Sequence, residues 1–131
     1  IALLTRVQVN IMIPDKSDHP FIRWASLSHI GELLRSGANV YLYRKGFIHA
    51  KSIVIDEEIA SVGTANMDVR SFKLNFEANA FLYDDRLAKQ LNDTFREDMK
   101  VSSWLTYEKY LQRPLSIRFK ESISRLLSPI L

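Results

Sequence analysis

The chain contains no cysteine, no long apolar run, and only four glycines and four prolines among its 131 residues. Without cysteine it can form neither disulfides nor thiolate metal sites. No apolar run approaches the ~18 residues that a bilayer-spanning helix requires, and no signal peptide is visible. Any membrane anchor is therefore expected outside this chain. The length suits a single domain over residues 1–131, large enough to bury a hydrophobic core.

A concentrated basic surface is also missing from most of the chain. Basic and acidic residues balance as far as residue 109, and the net charge of +3 arises in residues 110–131. A nucleic-acid-binding surface needs clustered Lys and Arg, so the charge distribution argues against nucleic acid as a partner.

The end of the chain, residues 113–131, has the pattern of a basic amphipathic tail. One helical face there, which we call the tail stripe, collects four apolar residues: Phe119, Ile123, Leu126 and Leu127. Two interpretations follow. The stripe packs on the domain, which we favour because core-facing stripes are common, or the helix rests on an anionic lipid surface.

Hydrophobic periodicity elsewhere predicts alternating strands and helices, and hence an α/β fold with a mixed β-sheet flanked by helices. Strands are expected at 7–13, 40–43 and 76–83, and helices at 20–37, 85–100, 103–112 and 117–127.

A β-hairpin is predicted where two β-branched or apolar runs, 51–55 and 59–62, flank an acidic turn. With a two-residue loop, Lys51 would face Thr64 and His49 would face Asn66. Opposed residues share a face, with Cβ atoms ~5 Å apart, so four polar side chains would converge on one patch. Asp56 lies an odd number of residues from His49, so the two side chains would point to opposite faces of the strand. We therefore assign Asp56 to the turn as a supporting residue.

These residue types suit attack on phosphorus. The His49 imidazole can act as a nucleophile or proton carrier near neutral pH. Lys51, Thr64 and Asn66 can bind phosphate oxygens through an ammonium, a hydroxyl and an amide. Glu77, in the next strand-like run, can hold the other nitrogen of the imidazole.

The pattern His49-x-Lys51-x4-Asp56, then Gly63-Thr64-Ala65-Asn66 and Glu77, resembles the HKD signature of the phospholipase D superfamily. The sequence around these motifs resembles the carboxy-terminal half of the bacterial cardiolipin synthase family, over nearly the whole chain. One departure is Thr64, where many members carry Ser and which keeps the hydroxyl. The resemblance implies a phospholipase D-like domain with one HKD half, excised from a longer two-motif protein, and catalysis by His49, Lys51, Asn66 and Glu77.

The same resemblance implies an activity. The intact parent would transfer a phosphatidyl group from one phosphatidylglycerol to another through a phosphohistidine, releasing glycerol and forming cardiolipin, with no cofactor. His49 would be either the nucleophile or the general acid. The second motif would come in cis or from a homodimer partner, and the fragment alone would be inactive or nearly so. The parent is expected at the bacterial cell membrane, with this domain on the cytoplasmic side.

Other functions remain open at this point. A phospholipase D-type phosphodiesterase or nuclease assembled as a homodimer would share the chemistry, as would another phospholipid transphosphatidylase. A non-catalytic half domain would have lost His49 or Lys51, and both are present.

Overall fold

Strands and helices alternate through most of the chain, in a computed structural model that describes residues 2–5, 7–16 and 20–127. The strands are β1 (Asn10–Pro14), β2 (Asn39–Tyr43), β3 (Lys51–Ile55), β4 (Ile59–Gly63), β5 (Asn79–Leu82) and β6 (Ser102–Leu105). The helices are α1 (Pro20–Arg35), α2 (Val69–Lys73), α3 (Asp85–Lys100), α4 (Tyr107–Leu111) and α5 (Leu115–Leu127), with a short 3-10 turn at Ala2–Thr5. The predicted α/β class is confirmed.

The chain divides into two compact units, which we describe separately: residues 1–47 with 101–131, and residues 48–100. The first unit holds a mixed sheet in which β2 pairs in parallel with β1 and antiparallel with β6. The second holds an antiparallel sheet in the order β3-β4-β5. The prediction of one domain over all 131 residues stays a prediction.

The core of the first unit forms where α1 packs against β2. Leu27, Ile30 and Leu34 recur at helical spacing along α1 and are buried with Val40 of β2. α1 ends as its sequence predicts, because Gly37 adopts a left-handed backbone with φ of 95°. The backbone nitrogens of Gly37 and the next residue then bond the carbonyls of the last helical turn, as in a Schellman cap.

One predicted helix, at 103–112, is wrong in its first part. Residues 102–105 form strand β6, whose backbone pairs with β2. Only after Thr106 does a helix begin, and the Thr106 hydroxyl caps it by accepting from the Lys109 backbone nitrogen at 3.3 Å. The sheet pairing outweighs the weak helical pattern of the Ser-Ser-Trp-Leu run.

A buried ion pair joins the segment after α4 to α5. The guanidinium of Arg113 bonds the carboxylate of Glu121, and these side chains are 16% and 4% exposed. The same guanidinium lies 3.5 Å from the ring centroid of Tyr110, and its Nε donates to the Tyr110 carbonyl at 2.7 Å. The Tyr110 hydroxyl in turn donates to the Leu27 carbonyl of α1 at 3.1 Å. This chain of contacts fixes α4 and α5 to α1.

Two residues of the tail stripe do not lie on a buried face of α5. Among the described side chains of this helix, Glu121 and Ser124 are buried, whereas Phe119 and Ile123 of the stripe are 68% and 41% exposed. The interpretation that the stripe packs on the domain is therefore wrong for these two residues. The other two stripe residues lie outside the described side chains.

The second unit places α3 against the β3-β4 hairpin. Asp84 caps α3 by accepting from the Leu87 backbone nitrogen at 3.0 Å, and Ala88 is fully buried. At the hairpin turn, the Glu57 carboxylate accepts from Asn92 at 2.5 Å and from Arg96 at 3.0 Å, both on α3. The turn is thereby tied to a long helix.

The predicted register of the hairpin is wrong by one residue. Lys51 pairs with Gly63, not Thr64, because the turn has three residues, 56–58, rather than two. Asp56 and Glu57 take left-handed backbone conformations, with φ of 52° and 59°. Such conformations cost about 1–3 kcal/mol each outside glycine and persist where the surroundings hold them. The contacts of Glu57 with α3 supply that support.

Candidate phosphodiester-transfer site

The corrected register sets which side chains share a face at the end of the antiparallel sheet. Lys51 pairs with Gly63, and Gly63 pairs with Asn79 of β5, so Lys51 and Asn79 lie on one face on either side of a residue with no side chain. A Cβ on Gly63 would lie 2.0 Å from Oδ1 of Asn79. Glycine at this position therefore gives the Asn79 amide its place.

The Asn79 side chain uses that space to bind the neighbouring strand and loop. Its Oδ1 accepts from the Ala65 backbone nitrogen at 3.3 Å, and its Nδ2 donates to the hydroxyl of Ser61 at 3.3 Å. Ser61 is buried. The polar loop that begins at Thr64 is thus anchored to the sheet by the Asn79 amide.

The side chain of Lys51 is hydrogen-bonded to the backbone of His49. The Lys51 ammonium donates to the His49 carbonyl at 2.8 Å, and His49 lies in the irregular segment before β3, with its side chain exposed. The predicted pairing of His49 with Asn66 is wrong, since the ladder of β3 begins at Lys51. An ammonium has three N–H groups, so this contact leaves Lys51 donors that can bind a phosphate oxygen.

Thr64 and Ala78 extend the β4-β5 pairing beyond the strands. The Thr64 backbone nitrogen donates to the Ala78 carbonyl at 3.0 Å, and the Ala78 nitrogen donates to the Thr64 hydroxyl at 3.0 Å. The Thr64 hydroxyl also acts on the Glu77 carboxyl and lowers its pKa. Its role as a phosphate ligand stays a prediction.

The Glu77 carboxylate is surrounded by hydrogen-bond donors. Its Oε1 accepts from the Ser71 hydroxyl at 2.8 Å and from the Asn75 amide at 3.3 Å. The bonds from Thr64, Ser71 and Asn75, together with the positive charge of Lys51, hold the pKa of Glu77 below its ordinary value, although partial burial acts in the opposite direction. Glu77 is therefore a fixed anion at neutral pH. Its predicted contact with the imidazole of His49 stays a prediction.

The remaining candidates fall at two different places. Asn66 stands in the loop after β4, where its backbone nitrogen donates to the Ser71 hydroxyl at 3.1 Å. Asp56 is exposed at the start of the three-residue turn, at the far end of β3 from Lys51. The structure therefore gathers Lys51, Thr64 and Glu77 with the Asn66 loop, and sets Asp56 apart from them.

Sequence reasoning missed Ser71 and the role of Gly63. The signal for Ser71 was present in part, because Asp68 stands three residues before it and caps a helix start by accepting from the Ser71 nitrogen at 2.7 Å.

Among the described residues, no group of three or more His, Cys, Asp or Glu side chains could hold a metal ion. Within the same part of the chain, no helix is both long enough and apolar enough to cross a bilayer.

Comparison with known proteins gives matches over the whole chain. Over 131 residues, all of this chain, it is 68% identical to "Major cardiolipin synthase ClsA" of Bacillus subtilis (strain 168) and covers 27% of that protein. It is 60% identical to "Cardiolipin synthase" of Staphylococcus aureus (strain N315), over all of this chain and 26% of that protein. The chain thus spans about a quarter of the length of these curated relatives.

A solved structure shares the fold. The crystal structure of phosphatidylserine synthase from Haemophilus influenzae Rd KW20 superposes with a TM-score of 0.72 at 17% identity, over 99% of this chain and 37% of that one. The sequence profile described as "Cardiolipin synthase, PLD-like domain" matches residues 2–99. The resemblance noted from the motifs is confirmed, and the chain belongs to the phospholipase D-like domain family of cardiolipin synthases.

Proposed function

We propose that this chain supplies one half of the active site of a cardiolipin synthase. The observation that carries the proposal is the cluster at the end of the antiparallel sheet. There an ammonium, Lys51, and an ionised carboxylate, Glu77, lie beside the loop of Asn66. Its setting is a sequence 68% identical to a protein named as a cardiolipin synthase. A cation for phosphate oxygens and an anion for an imidazole are the two electrostatic elements that a phosphohistidine mechanism needs.

The proposed reaction has two displacements at phosphorus. In the first, an imidazole nitrogen bonds the phosphorus of one phosphatidylglycerol, and the bond from phosphorus to the glycerol oxygen breaks as a general acid protonates that oxygen. In the second, a hydroxyl of another phosphatidylglycerol attacks the phosphohistidine and gives its proton to the group that acted as general acid in the first step. The P–N bond breaks, the imidazole is released, and cardiolipin forms. Lys51 and Asn66 bind the non-bridging oxygens, and Glu77 orients the imidazole of His49 and stabilises its cationic form.

Two imidazoles are required, one as nucleophile and one as acid, and the HKD motif of this chain supplies one of them, His49. The second is proposed to come from another HKD half, either in the same longer protein or in a second copy. The chain's coverage of only 27% of its relative supports the first source. The longer protein is proposed to act on anionic phospholipid at the bacterial cell membrane, with this domain on the cytoplasmic side and any anchor outside this chain.

The test compares two histidine variants in the longer protein that carries this chain. His49→Ala should abolish the formation of cardiolipin and glycerol from phosphatidylglycerol, measured by mass spectrometry of vesicle extracts. His29→Ala, the same change at an exposed position of α1, is the matched control and should retain activity. If His49 is the general acid rather than the nucleophile, His49→Ala should instead leave a rate lower by about 10²–10⁴-fold and should still form phosphohistidine. Undiminished cardiolipin output from His49→Ala would exclude this residue from the mechanism.

A further inference from the structure

The hydroxyl of Ser71 joins two segments that carry predicted site residues. Ser71 lies on α2 and is 6% exposed. Its Oγ accepts from the Asn66 backbone nitrogen at 3.1 Å and donates to Oε1 of Glu77 at 2.8 Å. The Asn66 loop and the Glu77 segment therefore share one hydroxyl group.

The direction of the Ser71 proton follows from these two contacts. A hydroxyl has one proton and accepts through its lone pairs. Because Oγ of Ser71 accepts from the Asn66 N–H group, its own proton is directed to the ionised Glu77. The Thr64 hydroxyl is likewise oriented by a backbone donor, since it accepts from the Ala78 nitrogen, and it also lowers the pKa of Glu77.

We propose that Ser71 is a positioning residue of the transfer site, which holds the Glu77 carboxylate in its ionised form and couples its orientation to the position of Asn66. This inference rests on the proposed function, in which Glu77 orients the imidazole and Asn66 binds phosphate. An oriented carboxylate costs no reorganisation during the reaction, whereas a freely rotating one must be ordered at each turnover. A shift of about 1 Å in such a group can reduce the rate by 10²-fold.

The hydroxyl of Ser71 is separable from its backbone, which takes part in the cap of α2. Asp68 caps that helix by accepting at Oδ1 from the Ser71 backbone nitrogen at 2.7 Å. Ser71→Ala keeps that bond and removes only the two hydroxyl contacts. Ser71→Thr restores a hydroxyl, and Ser71→Cys replaces it by a thiol of similar shape that donates weakly.

A matched control is offered by Ser124 on α5. Its side chain is fully buried, and its Oγ has no hydrogen-bond partner among the residues that the structure describes. Ser124→Ala therefore makes the same chemical change at a buried serine without removing a hydrogen bond.

The first experiment needs no catalytic activity. In the 131-residue chain, the carboxyl pKa of Glu77 is followed by NMR with ¹³C-labelled glutamate. Ser71→Ala should raise that pKa toward the ordinary value, because the carboxylate loses a donor. Ser71→Thr should return it, and Ser124→Ala should leave it unchanged. Lys51 is the charged group that acts on Glu77 from β3, and it is present in all of these variants.

The second experiment measures turnover in the longer protein. Ser71→Ala should lower kcat by up to about 10²-fold with little change in KM, and should move the acid limb of the pH profile to higher pH. Ser71→Thr should reverse both changes. If Ser71→Ala loses its cooperative unfolding transition, Ser71→Cys must show the same direction in both measurements.

Two results would overturn the proposal: a Glu77 pKa that is the same with and without the Ser71 hydroxyl, or a lower kcat with an unchanged pH profile. These outcomes are distinct from failure of the proposed function. If Glu77→Gln in the longer protein retained full cardiolipin output, the role of Glu77 in the reaction would be wrong, while the NMR result on Ser71 would stand by itself.

Discussion

Replacing Arg113 by methionine should leave a buried carboxylate without its counterion. Glu121 is 3% exposed, and the guanidinium of Arg113 supplies its ion pair. Arg113→Met also removes the contact of the guanidinium with the Tyr110 ring at 3.5 Å and the bond to the Tyr110 carbonyl at 2.7 Å. Removal of one partner from a buried ion pair costs about 3–5 kcal/mol, so we expect a loss of that size in the free energy of unfolding at pH 7.

The pH dependence of this loss follows from the carboxyl group. Burial raises the pKa of Glu121 above its ordinary value of 4.5, although the charge of Arg113 acts in the opposite direction. The folded state thus holds this proton more tightly than the unfolded state. The contribution of this proton to the free energy of unfolding is fully present below the ordinary pKa of Glu121 and is lost as pH rises through the raised pKa. Without Arg113 the pKa of Glu121 should rise further, so the loss from Arg113→Met should shrink as pH falls.

Urea unfolding followed by circular dichroism at pH 7 and at pH 4 measures both effects. Arg113→Met with Glu121→Leu should recover most of the stability, because no unpaired charge remains buried. Lys100→Met is the matched control, since its ion pair with Glu97 is 68% and 69% exposed and should contribute at most about 1 kcal/mol. A loss from Arg113→Met no larger than that of the control, or a double variant as unstable as the single one, would refute the reasoning.

Three further predictions use the same unfolding assay. Gly63→Ala should lower the free energy of unfolding by about 1–3 kcal/mol, because its Cβ would lie 2.0 Å from Oδ1 of Asn79; a variant as stable as the parent chain would contradict this. Phe119→Ser should change stability by no more than about 0.5 kcal/mol, whereas Ile30→Ala, at a 4% exposed position, should cost about 2–5 kcal/mol; similar losses would place the stripe in the core after all. The lowered pKa of Glu77 means that its stabilising contribution is present above its ordinary value of 4.5 and is lost as pH falls through the lowered value. Glu77→Gln should therefore flatten the acid limb of stability against pH, and an unaltered acid limb would show that the carboxylate is not held as described.

The sequence predicted those elements whose apolar residues repeat at a clear period. α1 and α3 lie close to their expected bounds because each presents one apolar stripe and has a recognisable cap, at Gly37 and Asp84. β6 was missed because its Ser-Ser-Trp-Leu run has little alternation, and only pairing with β2 makes it a strand. Periodicity therefore located the two long helices and the strands of the hairpin, but it missed β6 and the short helix α2.

The candidate site was predicted in its residue types more than in its geometry. The motif identified His49, Lys51 and Glu77 by residue type. The register of β3 against β4 depended instead on the length of the turn, which contacts between Glu57 and α3 support. Ser71 was missed because its two hydrogen bonds form only when the loop and the Glu77 segment fold together. Alternation gives the face of a side chain once the register is known, and the register was a tertiary property here.

The three-residue turn at 56–58 makes this hairpin intolerant of a change in length. Glu58 is exposed and could be exchanged for most polar residues, whereas Glu57 is held by two side chains of α3. Loss of a single residue here would turn β3 over relative to β4, and Lys51 would then point away from Asn79. In homologous proteins with the same site, we expect this turn to keep its length of three residues and to vary in sequence at the position of Glu58.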